Sequence, residues 1–198
     1  MSWMQTYMGT RFDLTAPSVE QVSLRDIAWA LSNQCRFNGH TRAFYSVAQH
    51  SVLVCDCVVD CLVEDEERAL VKLLALLHDA AEAYVGDLTR PMKELVPGFA
   101  EIEQRVNAIV EAYFLRSIDP SHSGWTAKHR ALVKLADRRV LAAEVQHVLP
   151  MGEVQAYFTR EIAYPLYAIV PWTQQEAFTS YFAYVSSTLR DLGVRVCL

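Results

Sequence analysis

Three stretches of this 198-residue chain set titratable side chains into runs that are otherwise apolar or small: Leu76-Leu77-His78-Asp79-Ala80-Ala81-Glu82, Tyr45-Ser46-Val47-Ala48-Gln49-His50 and Val133-Lys134-Leu135-Ala136-Asp137. Burying such groups is costly unless they pair with one another or ligate a metal. Two neutral imidazoles and two carboxylates form a mixed N/O donor set suited to Mn, Fe, Co, Ni or Zn, with open positions left for water and substrate. His50, His78, Asp79 and Asp137 are therefore the candidate ligands, although each taken singly also has an ordinary structural reading. Glu82 lies one helical turn beyond His78 and is placed to take or relay a proton. Asp87 follows in a Gly-Asp turn, where an aspartate also commonly caps its own backbone. Arg36 and Arg42 flank the loop before His50, and a guanidinium fork matches phosphate oxygens. Lys93 is a further cation, and His40 reads as an exposed loop histidine.

These residues need helices to hold them, and helical periodicity dominates from Ser23 onward. The first 20 residues read as an irregular or short-strand lead-in. Leu24, Ile27, Ala28 and Leu31 repeat at helical spacing behind the cap Ser23, in a helix that ends near Asn33. Ser46 and Gln49 form a capping-box pattern, which predicts a helix from about Val47 through Leu62 with His50 in or near its first turn. A third helix is predicted from about Glu66 to Tyr84, broken by Gly86, with Gly86 to Pro91 as a turn. A fourth runs from about Ala100 to Phe114 with Ile102, Val106, Ile109 and Val110 as its apolar stripe. A fifth starts at the cap Thr126, carries Leu132, Leu135 and Val140, and holds Asp137 in its middle. Thr173 with Glu176 caps a last helix bearing Phe178, Tyr181, Phe182, Val185 and Leu189. Tyr181, Phe182, Tyr184, Tyr113 and Phe114 read as packing residues. The fold class is all-α: one helical domain over residues 1–198, with a motif-bearing core over about 30–145 and helices of 150–198 packed on it.

Composition fits that picture. The chain is 52% hydrophobic and 21% charged with only 7 Gly and 7 Pro, which excludes disordered and fibrous classes. Its net charge of −5 and its lack of a basic run argue against duplex nucleic acid as a partner. No signal-peptide pattern and no long apolar span is seen, so a cytoplasmic protein without a membrane segment is expected. Cys55, Cys57 and Cys61 read as reduced core thiols, and His122, His129 and His147 as surface residues.

His50, the pair His78-Asp79 and the distant Asp137, set on successive helices, resemble the H…HD…D signature of the HD-domain metal-dependent phosphohydrolases. Ser46-Val47-Ala48-Gln49-His50-Ser51, His78-Asp79-Ala80-Ala81-Glu82-Ala83 and Gly86-Asp87-Leu88-Thr89-Arg90-Pro91 extend the resemblance to the bacterial 5′-deoxynucleotidases and the small phage dATP triphosphohydrolases. The resemblance implies a helical HD bundle that binds Co, Mn, Zn or a similar divalent ion through His50, His78, Asp79 and Asp137. An additional Mg or Mn would accompany a triphosphate substrate. It implies Glu82 as the catalytic carboxylate, Asp87 in support, and Arg36, Phe37, Arg42, Thr89 and Lys93 at the substrate, Phe37 standing where those relatives often have Trp. It also implies a nucleotide substrate and a possible homo-oligomer. The expected activity is hydrolysis of a nucleotide 5′-phosphate ester at the α-phosphorus. The abundance of positive charge at Arg36, Arg42, Arg90 and Lys93 tilts it toward a dNTP cleaved to nucleoside and triphosphate. A dNMP 5′-nucleotidase, a phosphodiesterase and a non-catalytic nucleotide-binding module are the alternatives.

Overall fold

Ser23 opens the helical part of the chain: its hydroxyl accepts the Asp26 N–H at 3.4 Å, and α1 follows over Leu24–Asn33. The computed structural model describes residues 2–61, 67–118, 124–158, 162–165 and 167–194. Leu62, Glu66, His122 and the side chain of Cys61 therefore lie outside the described residues. Upstream of α1, β1 (Trp3–Gln5) and β2 (Arg11–Asp13) pair antiparallel with Trp3 opposite Asp13, the short-strand lead-in expected of this segment.

The His50 helix, α2, runs over Val47–Cys61. Ser46 Oγ accepts the Gln49 N–H at 3.1 Å, which is half of the expected capping box. The other half is spent elsewhere: the Gln49 amide donates to the Val170 carbonyl at 2.8 Å and accepts the Trp172 N–H at 2.9 Å. Cys55 and Cys57 are buried cysteines of this helix.

The expected single helix from Glu66 to Tyr84 is two. α3 covers Arg68–Leu77, a tight turn carries His78 to Ala81, and α4 covers Glu82–Val85. The reason is local. His78 Nδ1 contacts the Ala75 carbonyl at 2.7 Å, and the next N–H groups reach only three residues back, Ala80 to Leu77 and Glu82 to Asp79, which tightens the chain. Gly86, at φ 84°, then ends α4 in a conformation that disfavours any side chain. The predicted turn through Pro91 is shortened in turn, because α5 already begins at Arg90 and runs over Arg90–Leu95. Pro91 sits in its first turn, where a missing N–H costs nothing.

α6 (Phe99–Leu115) packs on α4 and α7 (Ala127–His147) on α2 and α3, α8 (Val154–Tyr157) is a short turn not foreseen from the sequence, and α9 (Gln174–Asp191) closes the bundle behind the expected Thr173/Glu176 capping box. The architecture is all-α. α2 lies at its centre, packed on α1, α3, α7 and α9, while α9 also covers α1 and α3. Tyr45, Leu73, Leu76 and Tyr181 are among the largest side chains removed from solvent, and the Tyr181 hydroxyl donates to the Leu76 carbonyl at 2.8 Å.

Some surface assignments change. His129 is buried rather than exposed, because its Nδ1 accepts the Thr126 N–H at 3.3 Å and closes the cap of α7. His147 is half-buried. Ile102 and Leu135, placed in apolar stripes by spacing, lie on exposed sides of their helices. Among the described residues no helix is long and apolar enough to cross a membrane.

Leu73 is fully buried, so Leu73→Ala should cost about 2–5 kcal/mol of unfolding free energy, read from urea denaturation followed by circular dichroism. A loss under about 1 kcal/mol would mean that the α3 interface collapses around the gap.

Candidate metal centre

α2, α7 and the turn that follows α3 bring four candidate ligand residues close together. His50 Nε2, on the first turn of α2, lies 3.3 Å from His78 Nε2 at the end of α3, 3.3 Å from Asp137 Oδ1 in the middle of α7, and 3.6 Å from Asp79 Oδ2. His78 Nε2 is 3.2 Å from the same Asp79 oxygen. Donors that share one ion at about 2.0–2.2 Å stand about 3–3.5 Å apart, so these residues could hold a divalent ion between them. One ligand atom each from His50, His78 and Asp137 falls within 4.8 Å of the others. Asp79 stands outside that group of three but borders it, its Oδ2 facing both imidazoles and also Arg36 at 3.6 Å.

The far side of each imidazole decides what the near side offers. His78 Nδ1 meets the Ala75 carbonyl, which can only accept, so the proton belongs on Nδ1 and the Nε2 lone pair points into the cluster. His50 Nδ1 meets Glu144 Oε1 at 2.7 Å, with the same outcome if that carboxyl is ionised. Glu144 is fully buried; burial opposes its charge, yet Arg36, His50 and Tyr45 hold it down at about 2. Two lone pairs and two carboxylate oxygens thus converge. The donor chemistry fits a divalent cation, and protons are the competing occupants. Burial opposes a charge on His78, but Asp79 and Asp137 outweigh it and raise the group to about 9. Burial likewise opposes ionisation of Asp79, yet His78, His50 and Arg36 hold it well below the usual carboxylate range. Metal uptake at such ligands releases protons.

Glu82 lies on the same wall. Its side chain is buried at the start of α4, and burial together with the charges of Asp79 and Asp87 pushes its carboxyl up to about 9, against the pull of Lys93 and Arg36. Lys93 Nζ donates to Glu82 Oε1 at 3.3 Å and more closely to Glu103 Oε1 at 2.6 Å. Asp87 is raised as well, by burial and by Asp79, against Arg36 and Lys93, so it shares the field of the cluster. Two concavities open from His78. One, of about 270 Å³, runs over Asp79, Glu82 and Lys93 to Gln104 and Asn107; the other, of about 230 Å³, runs past Asn107 and Asp137 to Arg130 and Lys134.

The residues named for phosphate scatter. Arg36 is drawn in, its NH2 donating to Glu144 Oε2 at 3.0 Å and its guanidinium 5.4 Å over the Phe37 ring. Phe37 reaches that position with φ 54° in a short 3-10 stretch over Arg36–Gly39, an uncommon conformation for a non-glycine residue. Arg42 is elsewhere: it is exposed, its NH1 reaching the His147 carbonyl at 3.5 Å and its backbone N–H bonding Val148. Arg90 is exposed and paired with Glu94, and Thr89 is the residue before α5, its carbonyl accepting from Lys93.

No family model matches the sequence. The uncharacterized protein YfdR of Escherichia coli (strain K12) is 33% identical over 174 residues, spanning 79% of this chain and 90% of that protein. The chain belongs to the YfdR family. An uncharacterized protein of Rhodobacter capsulatus, RCAP_rcc00048, is 32% identical over 159 residues, 78% of this chain and 77% of that protein. Neither name carries an activity.

In this member of the YfdR family, the residue that sequence reasoning missed is Glu144. Sitting in Ala142-Ala143-Glu144-Val145, it is seven residues, close to two turns, beyond Asp137, which puts both carboxylates on one face of α7. That spacing, inside an apolar run, was the available signal. Tyr45 was also passed over; its hydroxyl donates to Glu144 Oε1 at 2.8 Å.

Equilibrium dialysis against Mn²⁺, Co²⁺ or Zn²⁺ should find one ion per chain, and His78→Ala should weaken uptake by more than about 100-fold, the upper scale reached even by outer partners of metal ligands. Equal uptake by parent and variant would place the ion elsewhere.

Glu82 also sets a pH dependence. Its folded-state pKa, about 9, stands above the ordinary value of 4.5. The stability tied to its proton is therefore full below pH 4.5 and is lost as pH rises through about 9. Glu82→Gln should remove that loss, so melting temperatures of metal-free parent and variant should diverge in the variant's favour across this window. Parallel pH profiles would show that Glu82 ionises in the fold as it does unfolded.

Proposed function

We propose that this protein hydrolyses the 5′-phosphate ester of a nucleotide, by water attack on the α-phosphorus assisted by a divalent cation. The observation that carries the reading is the convergence of His50, His78, Asp79 and Asp137 at the foot of a cleft whose wall holds a carboxyl, Glu82, with a strongly raised pKa. The resemblance of the same residues to the HD-domain phosphohydrolases supports it.

A divalent cation in such a donor set supplies a water of lowered pKa and polarises a phosphoryl oxygen. His50 and His78 present their Nε2 lone pairs because their Nδ1 atoms are committed to Glu144 and Ala75. Glu82, whose carboxyl burial pushes upward, is suited to give a proton to the departing 5′ oxygen as the ester P–O bond breaks. Its Oε2 is buried without a partner among the described residues, so one oxygen stays uncommitted while Lys93 holds the other. Arg36 keeps its Nε–H likewise unspent beside Asp79, a donor suited to a phosphate oxygen.

The placement of the cations favours a monophosphate over a triphosphate. Arg42 lies at the end of α7, Arg90 faces solvent with Glu94, and Lys93 is divided between two glutamates, so the positive surplus that tilted the expectation toward a dNTP does not assemble. The products are then nucleoside and inorganic phosphate. Incubation with Mn²⁺, Co²⁺ or Zn²⁺ against a panel of dNMPs and dNTPs, followed by chromatography, should give deoxynucleoside from the monophosphates, abolished by EDTA. Glu82→Gln should lower kcat by about 10²- to 10⁴-fold with little change in KM. Bound metal with no turnover of any nucleotide would defeat the proposal.

A further inference from the structure

Glu144 lies seven residues beyond Asp137 on α7 and is engaged by three side chains near the cluster. Its Oε1 meets both His50 Nδ1, at 2.7 Å, and the Tyr45 hydroxyl, at 2.8 Å, while its Oε2 takes the Arg36 NH2 at 3.0 Å. It is fully buried. A guanidinium is always charged and needs a counter-ion when half enclosed by protein, and Arg36 is only 12% exposed at its side chain. Arg36 can only donate and its fixed positive charge favours the ionised carboxylate, which can only accept, so His50 Nδ1 is the donor in this contact.

We infer that Glu144 is the positioning residue of the metal centre: it holds the His50 proton on Nδ1, aims the Nε2 lone pair at the cation, and keeps Arg36 beside Asp79. The inference rests on the reading of His50 as a metal ligand. The alternative role, a counter-ion for Arg36 and nothing more, has a different signature. Partners of this kind, acting through the ring nitrogen that does not touch the metal, fix tautomer and orientation, and their loss costs about 10- to 100-fold in metal affinity.

The test measures Mn²⁺ and Zn²⁺ affinity by isothermal titration calorimetry in the parent, Glu144→Gln, Arg36→Met and the double variant, with ring ¹⁵N spectra of His50 in the parent. Glu144→Gln should bind about 10- to 100-fold more weakly, and should do so again in the Arg36→Met background, where no guanidinium needs a counter-ion. The parent spectra should show the His50 proton on Nδ1. An unchanged affinity in Glu144→Gln, or a loss that vanishes in the Arg36→Met background, overturns the inference. So does a His50 proton on Nε2, a result that stands even if a variant fails to fold. A parent that takes up neither metal defeats the metal reading and the inference with it, whereas metal uptake without nucleotide turnover defeats the proposed reaction alone.

Discussion

Electron-rich atoms packed 3.2–3.6 Å apart repel unless positive charge sits among them, and the interior of this bundle is arranged around that requirement. The four donors come from different local structures: the first turn of α2, the residue that caps α3, the next residue of the turn it opens, and the middle of α7. None of them could be moved alone, since α2 is packed on α3 and α7 at once. The neighbours that touch the donors are themselves fixed. Ala75 offers a backbone carbonyl, Glu144 is sealed on three sides, and Arg36 is pinned between two carboxylates.

The break between α3 and α4 follows from the same need. A continuous helix would stack Glu82 about 40° from His78 on one face and turn Asp79 about 100° away from His78. The tight turn from His78 to Ala81 instead lets the two ligands point at α2 and α7 while Glu82 restarts on the cleft wall. The local exchange of longer-range for shorter-range backbone bonds and the imidazole contact to Ala75 are what make the turn stable.

Much of this was legible in the sequence, because apolar spacing and caps report local physics. Ser23, Ser46, Thr126 and Thr173 each stand where a helix begins. His50, His78, Asp79 and Asp137 could be named as a set because polar groups in apolar runs carry a cost that asks for a partner. What escaped was tertiary. Arg42 has the right residue type and a near position in sequence, but the loop that carries it turns toward the end of α7. His129 reads as a lone histidine and is a cap. Glu144 reads as one charge among many on a long helix, and only the approach of α2 shows that its face is the interior. The helix of six residues at Arg90–Leu95 was hidden because proline was read as a stop where it serves as a start.

The amide of Gln49 has a further meaning. It neighbours His50, and both of its ends are bonded to the backbone at Val170 and Trp172, just ahead of α9. The last fifty residues fall beyond every recognisable motif, and a reader marking domain limits by motifs would trim them as an appendix. Their backbone nonetheless completes the hydrogen bonding of the residue beside a central ligand. The C-terminal stretch thus steadies the helix that carries His50 through its backbone, whatever side chains stand at those two positions.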